Sequence, residues 1–551
     1  MTSNSPIRNL IGISWILRLA LTLFPQHGYI QPDEFFQFTE PIIGEALGTK
    51  WLKTWEFKGD QPIRSILLPL LLNSPFFLLK QSWLNSYFIM VLPRLIFTGL
   101  SFIADYCLYK ISKLTLGWQW SFPCLIFSTS YLTLTHLNHT FTNSLETIFV
   151  SLVLYIVISS LVTKKTRHNR WLGIILALGL FNRPTFPIFT FIPLIFYLSI
   201  GKHKFPNRQL KNGLTVLPSF SLASLFNVLV DSGYYRRENL DHFIEFLSGD
   251  LNLSQFLDKS SVIFTPWNFL NYNRDTSNLK NHGLHDPYHH MLVNVPLSFG
   301  LLGLLAYFEI IKISTRPFRY KMIPARKIML LTFWVSLITL SFIPHQEPRF
   351  LLPCLLFLSY LYAEKFRVRK SLFFCWILFN LFFTYIYGFV HQSGVTQALF
   401  KLNRDINQDE SSRFDIIFSR TYLPPQTLLN IPVDSERIKF HDLSIMDFPE
   451  AINNKLNEVA LDSDRDKVLL IQPSSLSWYL DKLTNNWQNV TFNLQHRFFP
   501  HFTHEDLEAS FQHLLVNSER EDRYDLIKEA FSLDIYSVNY PKGQTINPNF
   551  P

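Results

Sequence analysis

The chain has 551 residues and a formal net charge of +8. Charged residues make up 17% of it, against about 25% in a typical soluble domain, while 53 Phe, 22 Tyr and 12 Trp give it unusual aromatic weight. This composition excludes a small soluble domain, a disordered chain and a fibrous protein, and it indicates contact with lipid.

Apolar runs predict about 11 membrane spans within the first 390 residues. These runs lie near 9–25, 87–108, 118–135, 143–163, 171–182, 185–200, 212–230, 292–311, 328–343, 350–363 and 371–390. Basic clusters beside them fall at 164–170, 202–211, 312–327 and 365–370, and the positive-inside rule puts all four clusters in the cytosol. The positive charge therefore indicates orientation and not a nucleic-acid surface.

Another apolar stretch, 63–79, contains Pro69 and Pro75. Two prolines favour a broken helix, and the parity of the neighbouring spans requires that this stretch does not cross the bilayer. We therefore expect it to lie at the membrane interface on the non-cytosolic side.

The predicted fold class is a polytopic α-helical membrane protein with a smaller α/β domain at its C-terminal end. We expect 1–390 to form the membrane region, with non-cytosolic loops at 26–86 and 231–291, and 391–551 to form the second domain on the same side. Within that tail, 468–471 has the composition of a strand and 505–517 that of a helix. The four Cys lie in apolar runs without metal-ligand spacing, so no metal or redox site is predicted.

The first polar loop places two carboxylates, Asp33 and Glu34, directly after the first span. Ionisable groups near the membrane plane are costly and suggest function, here a general base acting on a hydroxyl. The alternative is an acidic first turn of a helix after Pro32, stabilised by the helix dipole. Farther along the loop, Glu56 precedes Arg64, which fits either a snorkelling anchor or a phosphate ligand.

Three later segments carry polar side chains beside apolar runs. Arg183 stands in a short gap between two spans, where its partner is either a lipid phosphate or an internal carboxylate. The loop 231–291 is rich in aromatic and amide side chains, which suit a sugar but equally an interfacial aromatic belt. The segment 345–350 combines His345, Glu347 and Arg349, which suits a phosphate site or a self-neutralising ion pair at a helix end.

Together these loops resemble glycosyltransferase family 22, the mannosyltransferases that use dolichyl-phosphate mannose. The family's first-loop motif is of the type His-Pro-Asp-Glu followed by Phe-Gln, and this chain reads Gln31-Pro32-Asp33-Glu34-Phe35-Phe36-Gln37. The late motif His-Gln/Lys-Glu-x-Arg-Phe matches His345 to Phe350. Gln31 departs from the family's His; Gln cannot titrate, so a proton role is lost while a positioning role survives.

The resemblance implies a GT-C architecture and an active site on the luminal face of the endoplasmic reticulum. Six further stretches, 54–57, 62–65, 181–186, 265–273, 278–285 and 292–296, resemble the branch of the family that acts on the glycosylphosphatidylinositol (GPI) precursor. That branch implies transfer of a fourth, α-1,2-linked mannose to the third mannose of the precursor, with inversion of the donor's β linkage. The expected partners are the lipid-linked donor and acceptor, with no nucleic acid and no cofactor or metal.

The resemblance also implies roles for individual residues. Asp33 is expected to be the catalytic base, with Glu34 assisting or orienting it. The leaving phosphate is assigned to four cationic side chains, Arg64, Arg183, His345 and Arg349. The acceptor or sugar is assigned to Gln37, Trp55, Glu56, Trp267, Asn268, Tyr272, His282 and His285, and supporting places to Gln31, Gln346 and Glu347.

Rival functions remain open at this level. Within the family, the chain could add the third GPI mannose, or a mannose to the dolichol-linked precursor of N-glycans. Outside it, a polytopic transporter, a flippase or an inactive scaffold would fit the spans. A transporter should carry polar residues within spans near the bilayer midplane, whereas here the motifs cluster in loops on one side.

Overall fold

The computed structural model describes residues 5–166, 168–201, 206–236, 245, 248–250, 252, 255, 262–280, 283–315, 322–443, 450–461, 466–486, 490–503, 507–516 and 522–540. In these ranges the first 408 residues are helical with loops between the helices, and a β-sheet follows. The α-helices before the sheet are Ser5–Leu23, Glu40–Leu47, Leu67–Asn73, Ser86–Leu116, Ser121–Ser128, Tyr131–Leu134, Thr142–Thr163, Asn169–Asn182, Phe186–Leu198, Asn207–Tyr235, Thr265–Arg274, Thr276–Lys280, Val295–Phe299, Leu301–Thr315, Pro324–Ser341, Cys354–Val368, Lys370–Tyr385 and Ser393–Gln408.

Each of the eleven predicted apolar runs coincides with helical structure, although 118–135 and 292–311 are broken into shorter helices. Among the described residues, five helices are long and apolar enough to cross a membrane: Pro6–Leu23, Ser86–Leu116, Thr142–Thr163, Gln209–Tyr235 and Lys370–Val390. The multi-pass character is thereby confirmed, while the number of crossings stays a prediction.

The stretch 63–79 is broken as expected. A helix Leu67–Asn73 gives way to a 3-10 helix Ser74–Leu78 that has Pro75 in its first turn. A proline inside a helix removes one backbone donor and clashes with the preceding turn, which explains the change of helix type. The position of residues 63–79 at the membrane interface stays a prediction.

The first loop carries a continuous helical stretch, residues 33–47. It contains a π-helix, Phe35–Thr39, and continues as the α-helix Glu40–Leu47. The α-helix ends at Gly48, whose φ of 63° lies in the left-handed region that glycine adopts at little cost. Residues 33–47 therefore form one rigid helical segment, the first-loop rod, with Asp33 at its N-terminal end and Glu40 in its middle.

The tail forms a five-stranded mixed sheet. Its strands are β1 Phe414–Ser419, β2 Ile438–Leu443, β3 Lys467–Pro473, β4 Thr491–Phe498 and β5 Leu533–Asn539, in the order β2-β1-β3-β5-β4. β1 pairs in parallel with β2 and β3, whereas β5 pairs antiparallel with β3 and β4. The described tail helices are Glu450–Leu461, Ser477–Asn486, Leu507–Val516 and Arg523–Ala530, so the strand expected at 468–471 is confirmed, and a helix occupies most of 505–517.

The two faces of the sheet bury different parts of the chain. One face packs with helices of the tail itself, through residues such as Leu456 and Leu480. The other face packs with the helix Ser393–Gln408 and with first-loop side chains that include Tyr29, Phe35 and Ile43. The first loop and the tail sheet therefore share one hydrophobic core.

Candidate active site

Asp33 lies at the junction of the first loop and the late motif. Its Oδ2 atom is 2.5 Å from Nη2 of Arg349 and accepts a hydrogen bond of 2.5 Å from Nε2 of Gln37. Gln37 follows Asp33 by four residues, so the helical stretch presents both side chains on one face. The side chain of Asp33 keeps 28% of its surface exposed, which leaves it accessible to a substrate.

Gln37 connects Asp33 to a second carboxylate. Its Nε2 atom also donates to Oε1 of Glu56 at 3.2 Å, and Arg64 donates to the same oxygen from Nε at 2.9 Å and from Nη2 at 2.7 Å. Burial raises the pKa of Glu56, while the neighbouring Arg64 guanidinium offsets part of that rise. Arg64 therefore joins this group of side chains through its ion pair with Glu56, and its role as a phosphate ligand stays a prediction.

The late motif forms a short chain of charges. Glu347 accepts a bond of 2.9 Å from Nε2 of His345 through one carboxylate oxygen and pairs with Nε of Arg349 through the other. Burial opposes ionisation of Glu347, but the Arg349 guanidinium and the His345 bond outweigh it and hold the pKa of Glu347 well below its usual range. Burial likewise opposes the charge on Arg349, yet Asp33 and Glu347 together raise its pKa. Arg349 therefore stays positively charged between the two carboxylates of Asp33 and Glu347.

Arg183 approaches the same place from the gap between two apolar helices. Its Nη1 atom donates to Oγ1 of Thr142 at 3.0 Å, and its Nε atom is 3.4 Å from Oε2 of Glu146. The guanidiniums of Arg183 and Arg349 lie over the same ring, that of Phe350, at 5.2 and 5.6 Å. Burial lowers the pKa of Arg183 to about 10, and the charge of Glu146 acts against this.

A pair of aromatic rings adjoins the carboxylates. Trp55 and Tyr272 stack with ring centroids 4.4 Å apart, although 217 residues separate them in sequence (272 minus 55). Asn268, on the same helix as Tyr272, donates to the carbonyl of Pro62 at 3.0 Å, so it helps to dock that helix on the first loop. Trp267 is 59% exposed. The structure thus brings part of the predicted sugar-binding set beside Glu56.

Other predicted residues lie off this surface. Glu34 is fully buried and pairs with Arg94 at 2.7 Å, so its contribution to catalysis stays a prediction and its visible contact is structural. Burial raises the pKa of Glu34 to about 7, although Arg94 acts against the rise. Gln31 is half-buried, and its backbone carbonyl accepts from the Glu34 N–H at 3.2 Å.

Gln346 is buried and connects the late motif to the segment that contains His285. Gln346 accepts from the His290 N–H at 2.8 Å and donates to the carbonyls of Asp286 and Ser341. His285 lies beside His289 and His345, with ring centroids 4.3 and 6.3 Å away, and burial followed by the charge of His289 lowers its pKa. His282 lies outside the described residues.

The charged side chains border a narrow cleft. Its lining includes Gln37, Arg64, Thr142, Asn182 and Asn227. One atom of the neighbouring Arg349, Nη1, is buried and has no hydrogen-bond acceptor among the described residues. A guanidinium N–H without an acceptor thus lies beside the partly exposed carboxylate of Asp33, an arrangement that suits an anionic oxygen next to a proton acceptor.

Sequence reasoning missed three residues that organise the site. Arg94 holds Glu34, Glu146 holds Arg183, and Asp231 bonds to Ser65, Ile66 and Thr265 at 2.9, 2.9 and 2.8 Å. All three lie inside long apolar helices. An ionisable residue within a span is by itself a signal of function or pairing, and this signal could have found them.

Comparison with known proteins identifies the class to which this site belongs, that of membrane-embedded glycosyltransferases. The chain matches the Alg9-like mannosyltransferase family over residues 10–427, well over half of its length, and it belongs to that family. The expectation of a mannosyltransferase is thereby confirmed.

Two named relatives indicate which branch of the family this chain resembles. GPI alpha-1,2-mannosyltransferase 4 of Homo sapiens is 30% identical, with 77% of this chain and 76% of the relative covered. GPI mannosyltransferase 4 of Drosophila melanogaster is 30% identical, with 83% and 77% covered. Among solved structures, ArnT from Cupriavidus metallidurans bound to undecaprenyl phosphate is similar with a TM-score of 0.46 at 9% identity, covering 87% of this chain and 95% of that one.

Proposed function

We propose that this mannosyltransferase acts in GPI-anchor biosynthesis and transfers mannose from dolichyl-phosphate mannose to the third mannose of the GPI precursor. The product is an α-1,2-linked fourth mannose, formed with inversion. The named relatives support the substrate class. The observation that carries the site assignment is the accessible carboxylate of Asp33, held by Arg349 at the edge of a cleft that Arg64 lines and Arg183 adjoins.

In this mechanism the acceptor hydroxyl attacks the anomeric carbon of the donor mannose. The bond between that carbon and the phosphate oxygen breaks, its electron pair leaves with dolichyl phosphate, and the hydroxyl proton passes to Asp33. A single displacement inverts the β linkage of the donor to α. Because phosphate is a good leaving group, the site needs cations rather than a general acid.

Arg349 is suited to that role because it has two carboxylate partners. It can turn a guanidinium edge toward the phosphate while its Nε stays with Glu347, and its Nη1 has no competing acceptor in the described structure. When Arg349 turns from Asp33 toward phosphate, the Asp33 carboxylate keeps the bond from Gln37 but loses its cationic partner, and it can then receive the proton. Arg183 and Arg64 stabilise the phosphate charge from the other sides of the cleft.

We further propose a GT-C architecture, with the chain in the membrane of the endoplasmic reticulum and the site on its luminal face. The basic segments beside the spans support this orientation because they favour the cytosol. The tail sheet shares a core with the first loop, so both lie on the same face.

The decisive experiment supplies labelled dolichyl-phosphate mannose to membranes that contain the full chain, together with three acceptors. These are a GPI precursor with three mannoses, one with two mannoses and a dolichol-linked N-glycan precursor. We expect label only on the first, in a product from which an α-1,2-mannosidase releases it. Transfer to either of the other acceptors in its place would overturn the assignment.

A further inference from the structure

The loop between β1 and β2 leaves the tail sheet and contacts the first loop. This tail segment, residues 421–432, contains the 3-10 helix Gln426–Leu429. Its backbone N–H at Gln426 donates to Oε1 of Glu40 at 2.9 Å, and the Thr427 hydroxyl donates to Oε2 of Glu40 at 2.6 Å. Both side chains are buried, with 0% of Glu40 and 1% of Thr427 exposed.

The same segment also holds the two ends of the first-loop rod. Before the rod, the Tyr29 hydroxyl donates to the carbonyl of Leu423 at 2.7 Å. After the rod, the Lys50 N–H donates to the carbonyl of Ile431 at 2.7 Å. The stretch that carries Asp33 is thus tied to the tail before, within and after its helix.

The contact reaches Asp33 through a continuous helix. Glu40 follows Asp33 by seven residues, and the π-helix Phe35–Thr39 connects them without a break. A rod fixed at Glu40 fixes the position of Asp33 relative to Arg349, which comes from a different part of the chain. Because a misplacement of about 1 Å can cost about 100-fold in rate, this connection bears directly on the reaction.

We propose that the tail segment 421–432 positions the catalytic loop, and that Glu40 and Thr427 are its positioning residues. The inference rests on the proposed function. It assigns the C-terminal sheet a task in catalysis, because the sheet carries the segment that determines the position of the base, although none of the described strand residues lines the cleft.

The test measures kcat and KM for the labelled donor and the three-mannose GPI precursor with the full chain in membranes. Thr427→Val removes the hydroxyl and keeps the shape of the side chain. We expect kcat per folded molecule to fall about 10-fold while the donor KM changes less than about 2-fold. Thr427→Ser, which restores the hydroxyl, should return kcat to within about 2-fold of the unsubstituted chain.

The matched control is Ser474→Ala, which deletes a buried hydroxyl whose hydrogen bonds in the described structure are to Ser532, within the tail. This variant should keep its kcat even where it lowers stability. If Thr427→Val does not accumulate, Tyr29→Phe carries the test, because it removes one bond to the same segment and keeps the ring.

An unchanged kcat in Thr427→Val and in Tyr29→Phe overturns the proposal, as does an equal loss in Ser474→Ala. Failure of the proposed function looks different, because the unsubstituted chain would then not transfer mannose to the three-mannose precursor at all. In that case the same variants are compared on whichever acceptor the chain does use.

Discussion

The cleft at Asp33 and the contact between Glu40 and the tail segment hold their carboxylates in opposite ways. In the cleft, Asp33 and Glu56 face guanidiniums, and Asp33 keeps 28% of its side chain exposed. At the tail contact, Glu40 is closed off and meets neutral N–H and O–H donors. A phosphate can compete for a guanidinium, whereas nothing in a substrate replaces a buried backbone donor. The carboxylates of the cleft can therefore exchange their cationic partners for a substrate, whereas Glu40 keeps its hydrogen-bond donors.

The largest effect should come from Asp33→Asn, which keeps the shape of the side chain and removes the proton acceptor. We expect transfer to fall by about 100-fold to 10,000-fold, the range for loss of a general base, with normal amounts of protein in the membrane. Asp60→Asn is the control, since Asp60 lies in the same loop with 87% of its side chain exposed. Near-normal activity of Asp33→Asn would contradict a catalytic role for the cleft, and with it the contrast between the cleft and the Glu40 contact.

Arg349→Lys should have the next largest effect. Lysine keeps the charge but cannot reach Asp33 and Glu347 together, because it lacks the planar fork of arginine. Loss of one charge-assisted bond, worth about 2 kcal/mol, predicts a fall in kcat/KM of about 30-fold in the mannosyl-transfer assay.

The control for Arg349→Lys is Arg326→Lys, because Arg326 pairs with Glu309 at 2.8 Å outside the cleft. It should stay within about 2-fold of the unsubstituted chain. Equal losses in both variants would mean that the late motif acts only as an ion pair.

Replacement of Trp55 by Ala should have a smaller effect that appears in acceptor binding. Its stack with Tyr272 adds about 1 kcal/mol beyond buried area, so we expect the acceptor KM to rise about 5-fold with little change in kcat. Trp55→Phe should recover most of the loss. The control is Trp478→Ala, since Trp478 is an exposed aromatic of the tail. A fall in kcat alone would argue against a sugar-binding role for the stack.

The smallest effect concerns pH and the buried Glu40. Burial raises the pKa of Glu40 to about 7, while bonds from Thr427 act against the rise. The folded state then holds this proton more tightly than the unfolded state, so Glu40 subtracts stability as pH rises from about 4.5 to about 7.

Glu40→Gln removes this titration. Its thermal midpoint relative to the unsubstituted chain should therefore improve by about 1 to 3 degrees over that pH interval, measured in detergent. A difference between the two thermal midpoints that stays constant with pH, or that falls as pH rises, would contradict a raised pKa for the buried Glu40 carboxyl group.

The helices could be predicted from sequence, and so could Gln37 and Arg64 of the cleft, but the connections between distant residues could not. The apolar runs located the helices because hydrophobicity is a local property, and the family motifs located Asp33, Arg64 and Arg349. The pairs Glu34–Arg94 and Glu40–Thr427 join residues 60 and 387 positions apart. No local pattern encodes such a pair, and in a single sequence a buried carboxylate looks the same as a catalytic one.

The π-helix Phe35–Thr39 makes the response of the first loop to insertions differ from its response to deletions. A π-turn closes its hydrogen bonds over one residue more than an α-turn. A one-residue deletion within Phe35–Thr39 can therefore be absorbed by a return to regular α-helix, which keeps the orientation of Asp33 relative to Glu40. A one-residue insertion has no such outlet in a turn that already holds an extra residue, and it would rotate Asp33 about the helix axis by about 100°, away from Arg349.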